Sequence, residues 1–150
     1  MRIVIQRVTK AKITIDRLEE KTMGVGLVVL LGITHEDTEE DVFWLVNKMV
    51  HLRIFNDRHG VMNRSVKDAA GSVLIVSQFT LMAATKKGNR PSYLGAAKHE
   101  HATPLYELFL QQATMGLGRE VLSGKFGADM QIDLTNDGPV TLVIDSKNKE

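Results

Sequence analysis

Ser77, Gln78 and Thr80 are the side chains best placed to do chemistry in this sequence. They close an apolar run, Val73-Leu74-Ile75-Val76, that follows Gly71-Ser72 and reads as a short, β-branched, buried strand. Polar groups at the mouth of such a strand can line a site, and backbone N–H groups there can cradle an oxyanion. The same pattern fits a strand end whose polar residues cap a turn. The densest basic segment, Lys86-Lys87-Gly88-Asn89-Arg90, comes directly afterwards. It reads as a solvated loop or, beside a site, as a phosphate contact.

Other chemistries lack their residues. His35, His51, His59, His99 and His101 form no HExxH, and the last two, at i and i+2, do not share a helix face. No metal or other cofactor is expected. Ser77 sits in no GxSxG elbow. Thr80 is the one hydroxyl that could be nucleophilic, but no base accompanies it. The acidic residues offer no recognisable glycosidase pair. The absence of cysteine excludes a disulfide framework, thiolate zinc ligands and a Cys nucleophile. What remains is a site made largely of backbone.

The elements that must position it follow from periodicity. Ile3, Val4, Ile5 and Val8, then Ile13 and Ile15, predict two strands with a tight connection near Thr9-Lys10. Residues 16–21 read as a charged turn, and 24–32 as a central strand bracketed by glycines. Thr38-Glu39-Glu40-Asp41 opens a helix whose apolar stripe runs from Val42 to Leu52. Residues 53–55 start a strand, 56–60 form a turn, and 84–98 are irregular. Pro104 places the start of a second helix near Glu100 to Thr103, and Met115-Gly116-Leu117-Gly118 ends it. Strands near 119–123, 130–136 and 140–145 complete an α+β domain spanning 1–150, with a frayed tail from Ser146 to Glu150.

Bulk properties narrow the partners. A composition 43% hydrophobic and 25% charged is that of a soluble globular domain. No apolar run reaches membrane-spanning length, and the N-terminal apolar stretch breaks too soon for a signal peptide, so a cytoplasmic location is expected. A formal net charge of +1 argues against a protein that wraps a duplex, so an RNA partner should be gripped locally, at an end.

Asn136-Asp137-Gly138-Pro139-Val140-Thr141 is, on physics, a turn or strand break. Taken with SQFTL at 77–81, GNRPS at 88–92 and FGADM at 126–130, it closely resembles the D-aminoacyl-tRNA deacylase family. Gln6-Arg7-Val8, Leu52-Arg53-Ile54-Phe55 and Met62-Asn63 extend the resemblance over essentially the whole chain. It implies antiparallel-rich, barrel-like sheets with two main helices outside, built as a homodimer. The implied reaction is hydrolysis of D-aminoacyl-tRNA at the acceptor end, with glycyl-tRNA mischarged on tRNA(Ala) also accepted.

Ser77, Gln78, Phe79 and Thr80 then lie near the scissile ester. Thr80 either attacks or only binds while the terminal 2′-hydroxyl assists water; the missing base favours binding. Gly138-Pro139 is implied to be cis and to enter the partner subunit's pocket, where its carbonyls exclude L side chains. Phe126 and Met130 match positions near the terminal adenosine. Arg7, Lys86, Lys87 and Arg90 are candidate contacts to the tRNA end.

The sequence departs from the family at Val61, where Lys is usual, and at Tyr93, where Phe is common. The Lys98-His99-Glu100 region lacks the usual Pro, and Pro104 is unexpected. Two other readings stand beside this one: a relative that edits L-aminoacyl-tRNA, and a non-catalytic nucleic-acid-binding protein on the same fold.

Overall fold

One long strand organises the sheet. The computed structural model describes residues 1–149, and in it β1 runs unbroken over Arg2–Ile15 where the sequence predicted two strands. Ile3 and Ile5 pack into the cluster beneath the helices, whereas Val8, Ala11, Ile13 and Ile15 pack into a second one, with their parity changing between Val8 and Ala11. The register against the C-terminal strand shifts there too: between Val8 and Lys10 the extra residue lies on β1, whereas the shift between Gln6 and Val8 places its extra residues on the C-terminal strand. A β-bulge turns the side chains over without a reversal of the chain.

β1 pairs antiparallel with three partners: β2 (Glu19–Met23), β3 (Gly26–Gly32) and β8 (Met130–Asp145). The part of 16–21 read as a turn therefore shortens to 16–18, since β2 begins at Glu19. The two C-terminal strands predicted at 130–136 and 140–145 are one strand, β8, which carries Gly138-Pro139 within it. β3 then pairs parallel with β6 (Ser72–Ser77), and β6 with the short β7 (Leu122–Ser123). A two-stranded ribbon, β4 (Phe55–Asn56) with β5 (Met62–Arg64), stands apart. The result is the expected α+β arrangement, a nearly closed barrel-like sheet with two helices against it.

The parallel β3–β6 pair needs glycine at its entry. A Cβ on Gly26 would lie 1.9 Å from the Ser72 carbonyl oxygen, so only glycine fits there. α1 (Glu39–His51) spans the predicted helix, and the Thr38 N–H donates to the Asp41 carboxylate at 2.8 Å. Its buried stripe of Val42, Leu45, Val46, Met49 and Val50 packs on the sheet with Phe109, Ala113 and Leu117. A second apolar cluster, including Val8, Ile13, Val28 and Leu74, fills the inside of the curled sheet.

α2 covers His99–Leu117 and starts just before the predicted range, so Pro104 lies inside it. The bond it forfeits is the one the Glu100 carbonyl would receive, and both residues are exposed, which lets water replace it. Gly118 closes the helix at φ 77°, its N–H donating to Thr114 O at 3.0 Å.

The tail is not frayed where it was expected to be. Ser146 is buried, its N–H donates to Met1 O at 2.9 Å, and the Met1 ammonium donates to Ser146 Oγ at 3.0 Å and pairs with Asp37. Lys147 Nζ meets Asp41 at 2.8 Å. Buried charges demand partners, and here the C-terminal segment supplies them. Glu150 of that predicted tail lies outside the described residues.

Burial raises the Asp41 carboxyl, but hydrogen bonds from Lys147, Ser146 and Thr38 outweigh it and hold the group at about 2. Its folded value lies below the unfolded 3.8, so its stabilisation is complete above 3.8 and is lost as pH falls through about 2. Asp41→Asn should therefore show a shallower loss of stability than wild type across that window, read by circular dichroism during acid titration.

Candidate active site

β6 ends at Ser77, and the backbone then leaves the sheet. The Gln78 N–H still reaches Leu31 O at 2.7 Å, and Phe79–Met82 close a single 3-10 turn. That turn sits directly on the end of β3. A Cβ on Gly32 would be 2.8 Å from Met82 Cε, 2.9 Å from Leu81 Cβ and 3.1 Å from the Gln78 carbonyl oxygen. Glycine at 32 is thus what lets the turn approach the strand.

Ser77, Gln78 and Phe79 line a cleft of about 340 Å³. Its opposite wall is Phe126 and Ala128, from the connection between β7 and β8, and Met130, the first residue of β8. Leu31, Ile33, Val76, Ala97, Ala102 and Ile132 add apolar lining. The structure therefore brings together two motifs that lie about fifty residues apart in sequence. The polar strand end meets the aromatic and thioether side chains predicted for a nucleoside.

Thr80 is on the turn beside this cleft. Its Oγ1 accepts a hydrogen bond from Gln78 Nε2 at 2.5 Å. An amide nitrogen cannot take a proton from the hydroxyl, so no general base is paired with Thr80 here. Phe79 is 56% exposed, and Tyr93 packs edge-on against it with ring centroids 5.1 Å apart. The first turn of a helix leaves early N–H groups without an internal acceptor, and here those belong to Phe79 and Thr80.

On the far side, Tyr106 is buried and donates from Oη to Ile75 O at 3.1 Å. Burial pushes its phenol up to about 12, so it stays a neutral donor. Among the described residues, no three His, Cys, Asp or Glu side chains gather as a metal site.

Other predicted residues lie elsewhere. Lys86, Lys87 and Arg90 are exposed on the loop after the turn, which the Ala84–Ser92 bridge folds back on itself. Arg7, expected at the tRNA end, is only 6% exposed. Its Nη1 donates to Ile54 O at 2.6 Å, and its Nε meets the Asp137 carboxylate at 3.1 Å and carbonyl at 3.3 Å. The guanidinium thus holds the backbone before Gly138-Pro139. The Gly138–Pro139 bond is cis, and Gly138 has φ 116°, where an added Cβ would be 2.9 Å from Arg7 Nη2.

Gly138 and Pro139 are exposed and do not line the cleft of their own chain. Eight residue steps along β8 lead from Met130 to Gly138, at most about 26 Å at the usual rise. The sequence singled out neither Arg7's clamp nor the small residues Ala97 and Ala102 in the cleft. Small apolar residues carry no signal of their own in a single sequence.

A model of the D-Tyr-tRNA(Tyr) deacylase family matches residues 4–145. The chain belongs to that family. It is 56% identical to the D-aminoacyl-tRNA deacylase of Parabacteroides distasonis and 53% identical to that of Phocaeicola vulgatus, each over all 150 residues and the full length of both chains. Among solved structures, it resembles the c-Myc DNA Unwinding Element Binding Protein at a TM-score of 0.90 and 40% identity, covering 97% of this chain and 98% of the other. A probable eukaryotic D-amino acid tRNA deacylase shares the fold, at a TM-score of 0.84 and 18% identity over 95% of this chain and 97% of its own. No helix among the described residues of this family member is long and apolar enough to cross a membrane.

Gly32→Ala should push the 3-10 turn off β3 without disturbing the sheet beneath. The Leu81 and Ala83 amides, which now donate to Gln78 O and Thr80 O, should then exchange their hydrogens at least about tenfold faster, while Val28 and Leu74 keep their protection. Unchanged exchange at Leu81 would show that the close approach is not what fixes the turn.

Proposed function

We propose that the cleft hydrolyses the ester of D-aminoacyl-tRNA to free D-amino acid and tRNA. The observation that carries this is the meeting of Ser77-Gln78-Phe79 with Phe126 and Met130 around one cleft, in a full-length member of the deacylase family. The ester is already activated, so the site has only to place water and stabilise the developing charge. Water adds to the carbonyl carbon, and the tetrahedral oxyanion is held by the Phe79 and Thr80 N–H groups. Collapse breaks the carbon–oxygen bond to the ribose, which takes up a proton. The terminal 2′-hydroxyl of the tRNA assists the water, and Thr80 binds without attacking. Phe126 and Met130 receive the terminal adenosine, and Lys86, Lys87 and Arg90 meet phosphates near it. Such a protein works where aminoacyl-tRNA is made, in the cytoplasm.

Chirality is read by Gly138-Pro139 of a second copy in a homodimer. Both residues are exposed, clamped by Arg7, and remote from their own chain's cleft, which is what a wall destined for a partner's site requires. A rigid wall of backbone acceptors rejects an L side chain by clash and by unpaired polar groups, and it leaves glycine unopposed.

The solved relative at 40% identity, a DNA unwinding element binding protein, favours a second reading, nucleic-acid binding without cleavage. The two readings separate on hydrolysis of D-tyrosyl-tRNA, L-tyrosyl-tRNA and glycyl-tRNA(Ala) by the purified protein. The D and glycyl esters should be cleaved and the L ester spared. Thr80→Ala should keep its rate within about tenfold, whereas loss of a true nucleophile costs on the order of 10⁴-fold or more. Binding of tRNA with all three esters intact would replace the deacylase reading with the second one.

A further inference from the structure

His99 is not accounted for by the reaction. It is the first residue of α2, is exposed, and packs edge-on against the Phe126 ring at 5.1 Å and 89°. Tyr106 holds the same ring at 5.7 Å and 55°. Phe126 belongs to a connection outside the strands, between β7 and β8, so ladder bonds do not fix its ring. The Ile75 carbonyl anchors that connection by accepting from the Gly124 N–H at 3.1 Å, and it also receives the Tyr106 hydroxyl. Tyr106 is therefore anchored, and His99 adds a second aromatic contact to a ring that also packs against the core. The imidazole is itself steadied one helical turn along, where Thr103 Oγ1 meets its Nδ1 at 3.3 Å.

We infer that His99 is a positioning residue that sets how the cleft takes the terminal nucleoside, by holding Phe126 edge-on from α2. This rests on the deacylase reading above and adds a specific determinant to it. A ring held by two aromatic neighbours is preorganised for a stacked base, and a freed ring must be ordered when the base arrives. The effect belongs to binding of the nucleoside and leaves the bond-breaking step alone. His99→Phe retains an aromatic edge and His99→Ala removes it.

The test uses an amide-linked D-tyrosyl-adenosine, which cannot be hydrolysed, in calorimetric titration, with D-tyrosyl-tRNA kinetics alongside. His99→Ala should weaken analogue binding by about two- to tenfold, the range an edge-to-face aromatic contact gives. It should raise KM with kcat unchanged, and His99→Phe should restore both to within about twofold of wild type. Equal analogue binding by wild type and His99→Ala overturns the inference and leaves the deacylase reading intact. A fall in kcat alone, or failure of His99→Phe to restore binding while it melts like wild type, also overturns it. Wild-type protein that neither binds the analogue nor cleaves the ester overturns the deacylase reading, and this inference with it.

Discussion

The hydrogen bond from the Gln78 N–H to Leu31 O, at 2.7 Å, is the last rung of the parallel β3–β6 ladder, and the site hangs from it. Up to Ser77 the chain is a buried strand whose backbone groups serve the sheet. One residue later, the chain must turn out while remaining tight against β3. Gly32 permits that contact, and on the proposed reading the turn presents its first N–H groups to the ester carbonyl. Catalytic groups made of backbone are as rigid as the sheet that carries them. On the proposed reading, that rigidity is what holds the N–H groups in place for the oxyanion.

Two further anchors complete the arrangement, and both end on carbonyl oxygens. Ile75 O gathers the Tyr106 hydroxyl and the Gly124 N–H, tying α2 and the Phe126 connection to β6, two residues before the strand's exit. Arg7 spans from Ile54 O to Asp137 O and fixes the segment leading into Gly138-Pro139. A buried guanidinium is stable only when its donors are used, and here its partners define the shape of a surface loop. Arg7 thus acts on structure inside its own chain, while Lys86, Lys87 and Arg90 are exposed.

Much of this was legible in the sequence. The apolar run to Val76, the α1 stripe and the Gly118 stop all lie where their periodicity and chemistry put them. SQFTL and FGADM do share one cleft. What could not be read was set by contacts distant in sequence. Nothing local says that Thr9-Lys10 is a bulge instead of a turn, because the deciding partner is β8, more than a hundred residues on. The fate of Ser146 and Lys147 depends on Asp37 and Asp41 needing charge compensation. Arg7, expected among the contacts to the tRNA end, is another case: its guanidinium is held by Ile54 and Asp137, neither of them its neighbour in sequence.

On the proposed reading, one chain supplies the hydrolytic cleft and a second copy supplies the wall that reads chirality. The direct measurement co-expresses two disabled subunits: one with the cleft filled by Ala128→Trp, the other with Gly138 and Pro139 deleted. The wall-less protein alone should cleave D- and L-tyrosyl-tRNA alike. Mixed with an excess of cleft-filled subunits, it should keep its D activity and lose its L activity, because each open cleft now faces an intact wall. An L activity that stays unchanged as cleft-filled subunits are added would contradict the account, for the wall would then act within its own chain or not at all.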